Sequence, residues 1–532
     1  SDAAFEAELA LTRQHLALLE AIDVAALDNQ TRLSYQLMHK QLREMLEDAR
    51  WRLYSYPVNQ MFGVHSQVPA LLINQHKIDS IDDAKAYIAR LNAVPELFRQ
   101  LQQLLTQSAE AGIIVPKFVF PHLYSASENL LQGAPFSEQG DSTLLADFSS
   151  KVAALPLSEH EQKLLLDEAR VALITSVGPA YRSLISFLQQ LEQQAGTDDG
   201  VWRFPDGAAF YQNRLARMTT TDYSAEQIHQ LGLKQVERIH GEMRQIMQQV
   251  GFAGDLAEFF VFMREAPQFY YPDTEEGRAA YLAEATAVID HMRTRLDELF
   301  LVKPKAEMIV KAVEPFREQT AGKAFYQRPS MDGSRPGVYY ANLYRMSDMP
   351  KYQLEALAYH EGIPGHHMQL AIAQELEGIP KFRRFGGATA YIEGWGLYSE
   401  LLPKEIGLYQ DPYADFGRLA MELWRAARLV VDTGIHAKKW SREQAIQYLV
   451  DNTPNPEGDA VKAIERYIVM PGQATAYMVG MIKLLELREL AKSELGERFD
   501  IREFHNVVLK NGAVPLDVLE QLVKDYIAGK RA

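Results

Sequence analysis

The chain has 532 residues, a formal net charge of -15 at pH 7, 47% hydrophobic and 23% charged residues, and no Cys. This is the composition of a globular protein with a large core, and its acidity argues against nucleic acid or anionic membrane as partner. Without Cys there are no disulfides, thiolate metal sites or Cys nucleophiles, which suits passage through an oxidising compartment.

No apolar run approaches the length of a membrane span, so no transmembrane segment is expected. The first residue is Ser1, which is compatible with a removed leader or lipid anchor. From Phe5 to Trp51, Leu9, Leu16, Leu19 and Ile22, then Leu33, Leu37, Leu42 and Leu46, recur at helical spacing, predicting two amphipathic helices. Val58 to Pro69 reads as an irregular connection. Ser80 with Asp83, Ser158 with Glu161 and Ser224 with Gln227 have the spacing of capping boxes, each opening a helix. Asp255 to Met263 and Thr274 to Phe300 add further helices. Residues 1–302 thus read as a helical scaffold half without a catalytic cluster, and 303–532 as a catalytic half, the two expected to form one continuous fold with a cleft between them.

The texture changes after Val302. Met308 to Phe316, Ala324 to Gln327 and Val338 to Leu343 are short β-like runs, with Asp332-Gly333 as a hairpin signal between the last two. They predict a small antiparallel sheet of about three strands just before Tyr359-His360-Glu361-Gly362-Ile363-Pro364-Gly365-His366-His367. Three imidazoles and a carboxylate fall within eight residues there, in a chain with only 14 His. A His-Glu pair followed by His is the skeleton of zinc peptidases, in which two His hold the metal and Glu activates water. The spacing differs from HExxH: on a regular helix, His360 and His366 would lie roughly 120° apart around the axis. Pro364 and the flanking glycines supply a break, so we expect a helix carrying His360 and Glu361, a bulge over Gly362 to Gly365, and a resumed helix that returns His366 to the same ion. His366 is preferred to His367 as ligand because two inserted residues bulge out more easily than three. His367 is then left to orient a ligand or face substrate.

Further along, Tyr391-Ile392-Glu393-Gly394-Trp395-Gly396-Leu397-Tyr398-Ser399-Glu400 places a carboxylate beside two glycines on an apolar helix, an odd position unless the charge is used. Glu393 is the candidate third ligand and Glu400 the alternative, or a residue behind the ligands. Arg428, Asp432 and His436 are four apart and share a helix face. Asp432 there would orient His436 toward a developing oxyanion, unless the three form only a structural ion-pair stripe. In Glu465-Arg466-Tyr467 and Met470-Pro471-Gly472-Gln473-Ala474-Thr475-Ala476-Tyr477, Tyr477 is a second oxyanion donor and Arg466 a candidate for a peptide carboxylate. Helix then runs to the C-terminus.

The Pro-Gly-interrupted HExxPGHH motif, with EGWxxY and PGQAxxY downstream, resembles the bacterial "domain of unknown function 885" family, grouped with gluzincin-like zinc metallopeptidases. The resemblance implies a mainly α, multi-helix fold with a gluzincin-like active site in a cleft. It implies one Zn2+ on His360, His366 and Glu393, with Glu361 as general base. It also implies an edge strand beside the metal, here Gly337 to Asn342, with Tyr339 and Tyr340 toward substrate, and export to the periplasm or a lipid anchor, a cytoplasmic location being the alternative. The expected activity is hydrolysis of peptide bonds in oligopeptides, the alternatives being an amidase or esterase on a small amide, or a non-catalytic binding protein with a vestigial site.

Overall fold

The structure, a computed structural model, describes residues 1–138, 140–315, 318 and 321–531. By compactness the chain forms two units: residues 1–22 with 39–210, and residues 23–38 with 211–532. The division falls near 210, while residue 302 marks where helices give way to strands.

The smaller unit is built on α1 (Ile81–Glu110). Its N-terminus is capped by the Ser80 hydroxyl, which accepts the Asp83 N–H at 3.2 Å. Tyr87, Leu91, Val94, Phe98, Leu101 and Leu105 fall on one buried face. Tyr87 packs on Phe148 and Phe98 on Tyr181, burying about 150–250 Å² per ring, so this stripe rather than helix propensity holds the unit together. The caps at Ser158 and Ser224 close reciprocally, as the spacing predicts. The expectation from composition is corrected at one point: Glu159–Glu192 is long and apolar enough to cross a membrane. In this fold Ala169, Leu173, Tyr181, Leu184 and Leu188 of that stretch are core residues.

The larger unit includes α2 (Ala225–Gln249) and α3 (Glu275–Arg295), followed by β1 (Met308–Ala312), β2 (Ala324–Gln327) and β3 (Gly337–Ala341). The sheet order is β1-β3-β2, with β1 parallel and β2 antiparallel to β3. The fold is mainly α with a small sheet, but that sheet is mixed. The expected β2–β3 hairpin forms, with Ala324 opposite Ala341, while β1 enters on the far side of β3 with Met308 opposite Gly337. Phe316, at the end of the run that predicts β1, lies outside the described residues. All five residues of β3 are buried. As the central strand, with hydrogen-bonded neighbours on both sides, β3 has no free edge for a substrate.

Next come α4 (Leu354–Glu361), α5 (His366–Glu375), α6 (Thr389–Glu405), α7 (Pro412–Ala437), α8 (Glu457–Val469) and α9 (Ala476–Leu495). Helix α7 is the core of this unit. Every residue from Ala414 to Leu423 and from Leu429 to His436 is buried, the pattern of a helix enclosed on all sides. Its internal charges answer one another: Arg418 donates to Asp415 at 2.9 Å and to Glu422 at 3.2 Å, and Arg238 of α2 also reaches Glu422. Helix α2 comes close at Gly232, where a Cβ would stand 2.7 Å from that of Leu429. Helices α6 and α9 cross glycine to glycine, Gly394 against Gly480, where a Cβ on Gly394 would stand 2.5 Å from Gly480 backbone. This crossing brings the backbone beside Glu393 close to α9.

Candidate metal centre

Helix α4 ends at Glu361 because Pro364 lacks an N–H and disfavours helical backbone in the residue before it. The chain then turns through Gly362 to Gly365, and α5 starts at His366. Gly365 passes so close to the His360 carbonyl that no Cβ fits, while a Cβ on Gly362 would press on Ile289 of α3 and Met308 of β1. The Trp395 indole N–H donates to the Pro364 carbonyl at 2.9 Å, tying the turn to α6.

This turn does what the motif requires. The His360 and His366 rings meet edge to face with centroids 4.6 Å apart. Nε2 of His360 lies 3.9 Å, and Nε2 of His366 3.6 Å, from Oε2 of Glu393. The ligand atoms of the three residues all lie within 4.8 Å of one another. Two donors on a tetrahedral zinc with bonds of about 2.0–2.1 Å stand roughly 3.3–3.5 Å apart, so the two distances to Glu393 lie within about half an ångström of what one ion needs. Burial would raise the Glu393 carboxyl, but the neighbouring His366 and His360 hold it down to about 2, in the ionised form a metal needs.

Glu400 lies outside the His360–His366–Glu393 group. Its Oε1 lies 2.7 Å from Nδ1 of His360, leaving Nε2 of that ring toward Glu393. This is the usual way a carboxylate sets the tautomer and aim of a metal-ligating imidazole. Glu361 is buried beside the centre, and burial pushes its carboxyl up to about 7. It also lines a cavity of about 690 Å³ together with Leu357, Met421, Arg425, Arg428 and Arg466.

Gly396 and Trp395 are parts of the centre that chemistry-bearing residue types do not reveal. A Cβ on Gly396 would stand 2.8 Å from Cε1 and 2.9 Å from Nε2 of His360, and 3.0 Å from Cε1 of His366. Gly396→Ala is therefore expected to weaken zinc binding by about tenfold or more, the size of effect seen when residues behind the ligands are lost. Competition with a chromogenic chelator reads this, and unchanged affinity would mean that the rings have room to move. The signal in the sequence is the pair of glycines flanking Trp395 in an otherwise regular helix.

His367 points away from the centre. Its Nδ1 is 2.8 Å from the Tyr326 hydroxyl on β2 and its Nε2 is 3.1 Å from the Ala306 carbonyl. Both nitrogens are taken, so the ring fastens α5 to the sheet instead of orienting a ligand or facing substrate. The expected Asp432–His436 pair is likewise corrected. Asp432 accepts the Tyr211 hydroxyl at 2.5 Å and the Gly472 N–H at 3.0 Å, while Nε2 of His436 lies 2.9 Å from the Tyr467 carbonyl. Four-residue spacing puts the two on one face, but partners on neighbouring elements capture them separately. Tyr339 and Tyr340 are also internal. Tyr340 stacks on Phe325 with centroids 5.0 Å apart, and Tyr339 is fully buried beside Tyr281 and Glu361. Arg428 lies 4.6 Å from the Tyr477 ring centroid, and Arg466 donates to the Gln473 side chain at 2.7 Å.

Burial pushes the Asp432 carboxyl up to about 7, opposed by its bonds from Tyr211 and Gly472 and by the charge of Arg214. The unfolded value is about 3.9. Between these values the unfolded chain has released a proton that the folded chain retains. Stability from this group is therefore complete below pH ~4 and lost as pH rises through 7, by up to roughly 3–4 kcal/mol. Asp432→Asn keeps an acceptor for Tyr211 and Gly472 but cannot ionise. Its melting temperature is expected to fall less between pH 5 and pH 8 than that of the parent, and equal slopes would contradict the assignment.

A family model described as "bacterial protein of unknown function (DUF885)" matches residues 1–523. A solved structure of a candidate lipoprotein from Colwellia psychrerythraea is 34% identical, with TM-score 0.90, covering 98% of this chain and 91% of that one. A second, from Shewanella oneidensis, is a candidate lipoprotein of unknown function. It is 20% identical with TM-score 0.77, covers 98% of this chain and 93% of that one, and is a likeness of fold alone. No curated protein matches the chain.

Proposed function

The chain belongs to the bacterial family of proteins of unknown function DUF885, and from that premise we propose that it is a zinc-dependent peptidase acting on short peptides. One convergence carries the reading: two imidazoles and a carboxylate with ligand atoms within 4.8 Å, and a further buried carboxylate, Glu361, between them and a cavity. Three protein donors with a side left open is the pattern of a catalytic zinc, whereas structural sites close all four positions. One Zn2+ held by His360, His366 and Glu393 would supply Lewis acidity, making water a stronger acid and a carbonyl more electrophilic.

The residues of the chain do the rest. Glu400 keeps His360 aimed. Glu361 takes the proton from the attacking water and passes it to the leaving amine. Tyr477, packed on Arg428, stands as the donor to the developing oxyanion, with Arg428 beside it, since the His436 ring is engaged by a backbone carbonyl. The outer edge of β2, which pairs with no other strand among the described residues and whose Ala324 lines the cavity, takes over the substrate-pairing role expected of Gly337 to Asn342. The description of the 34% identical structural relative as a candidate lipoprotein supports export to the cell envelope, periplasmic or lipid-anchored.

Zinc-loaded protein should cleave members of a panel of short peptides, lose that activity on chelation and regain it with zinc, with one ion per chain by elemental analysis. Hydrolysis of esters or acyl amides with every peptide intact would move the reading to an amidase or esterase. Failure to retain any metal would leave a binding protein.

A further inference from the structure

Resting on the peptidase reading, we propose that the cavity beside Glu361 takes the free C-terminal carboxylate of a short peptide, so that peptides are trimmed from that end and not cut internally. Four arginines line this one cavity, with the carboxylates Glu318, Asp348, Glu361 and Asp459; Arg345 pairs with Asp348 at 2.8 Å, which leaves Arg425, Arg428 and Arg466 to account for. Arg425 donates to the Met421 carbonyl at 3.1 Å, Arg466 to the Gln473 side chain, and Arg428 packs on Tyr477. Among the described residues no carboxylate pairs with any of the three, and Nε of Arg425 and both Nε and Nη1 of Arg428 have no hydrogen-bond acceptor. The contrast with Arg418 on the same helix, bonded to Asp415 and Glu422, is direct. A half-buried guanidinium without an anion is costly, because charge removed from water calls for a charged or hydrogen-bonding partner. Three together in a cavity imply a partner that arrives with the substrate.

Arg428 is within reach of the Glu393 charge, and Arg466, on α8, adds a second guanidinium to the same lining. A C-terminal carboxylate held by these two leaves the amide bond upstream of it nearer Glu361. Hydrolysis there balances simply: the oxygen of water joins the carbonyl carbon, the C–N bond breaks, and the departing amine, carrying the C-terminal residues, takes the proton that Glu361 removed.

The test is calorimetric binding of N-acetyl-tetra-alanine, as free acid and as C-terminal amide, to zinc-loaded Glu361→Gln protein. The acid should bind about tenfold or more tightly than the amide, as charge-assisted bonds to guanidinium predict. That preference should shrink in Arg466→Met and in Arg428→Met. It should return in part in Arg466→Lys, which keeps the charge without the planar fork and guards against a folding defect. Equal binding of acid and amide, an acid preference that survives both Met variants, or inorganic phosphate binding as tightly as the acid would each overturn the proposal. Zinc-dependent cleavage of amidated peptides at internal bonds by the wild-type protein would also overturn it while leaving the peptidase reading intact. If no acid or amide peptide is cleaved at all, the peptidase reading itself falls.

Discussion

Glu361→Gln is expected to lower peptide turnover by about two to four orders of magnitude, the usual contribution of a positioned general base, with zinc content unchanged. The side chain lies outside the ligand set yet is buried beside it and at the cavity. The amide has the size of the carboxyl but cannot accept a proton from water. The loss should fall on kcat and on kcat/KM alike, because proton transfer belongs to the transition state and not to substrate binding. Activity within a few-fold of wild type would remove Glu361 from the mechanism. Loss of zinc in the variant would instead make it a structural support of the centre.

The adjacent histidines should behave in opposite ways. His366→Ala removes one of three donors and is expected to weaken zinc binding by well over the roughly 10–100-fold that follows loss of residues behind the ligands. His367→Ala should leave zinc affinity within a few-fold but destabilise the fold by about 2–3 kcal/mol, since the Tyr326 hydroxyl and Ala306 carbonyl lose their shared partner within the structure. Equilibrium dialysis with zinc and urea unfolding of both variants separate the two roles. A zinc defect in His367→Ala equal to that in His366→Ala would contradict the geometry around the Pro364 turn.

Much of the centre is legible in the residues themselves. His360, Glu361 and His366 stand out because imidazoles cluster in a chain with few of them, and Pro364 with its glycines announces a break in the helix. Glu393 stands out because an apolar helix has no use for a lone carboxylate between hydrophobic neighbours. Spacing misleads where two groups share a face but have better partners elsewhere. Asp432 and His436 are one turn apart on α7, yet Tyr211, the Gly472 N–H and the Tyr467 carbonyl claim them from other segments. The same holds for β3. The family resemblance implies an edge strand there, but β1 pairs with it from a segment about 25 residues upstream and turns it into the centre of the sheet.

What the sequence determined by itself is local: helical periodicity, capping residues, a broken helix and a metal-type donor set, all set by side-chain chemistry and backbone freedom within a few residues. What only the tertiary structure decided is which donors meet. The Trp395 bond to Pro364, the fit of Gly396 against two imidazoles, the Glu400 support of His360 and the gathering of Arg425, Arg428 and Arg466 in one cavity join residues tens of positions apart. The physical reason is that such contacts depend on how α4, α6, α7 and α8 pack. Packing is fixed by the sum of many side-chain volumes and not by any single spacing along the chain.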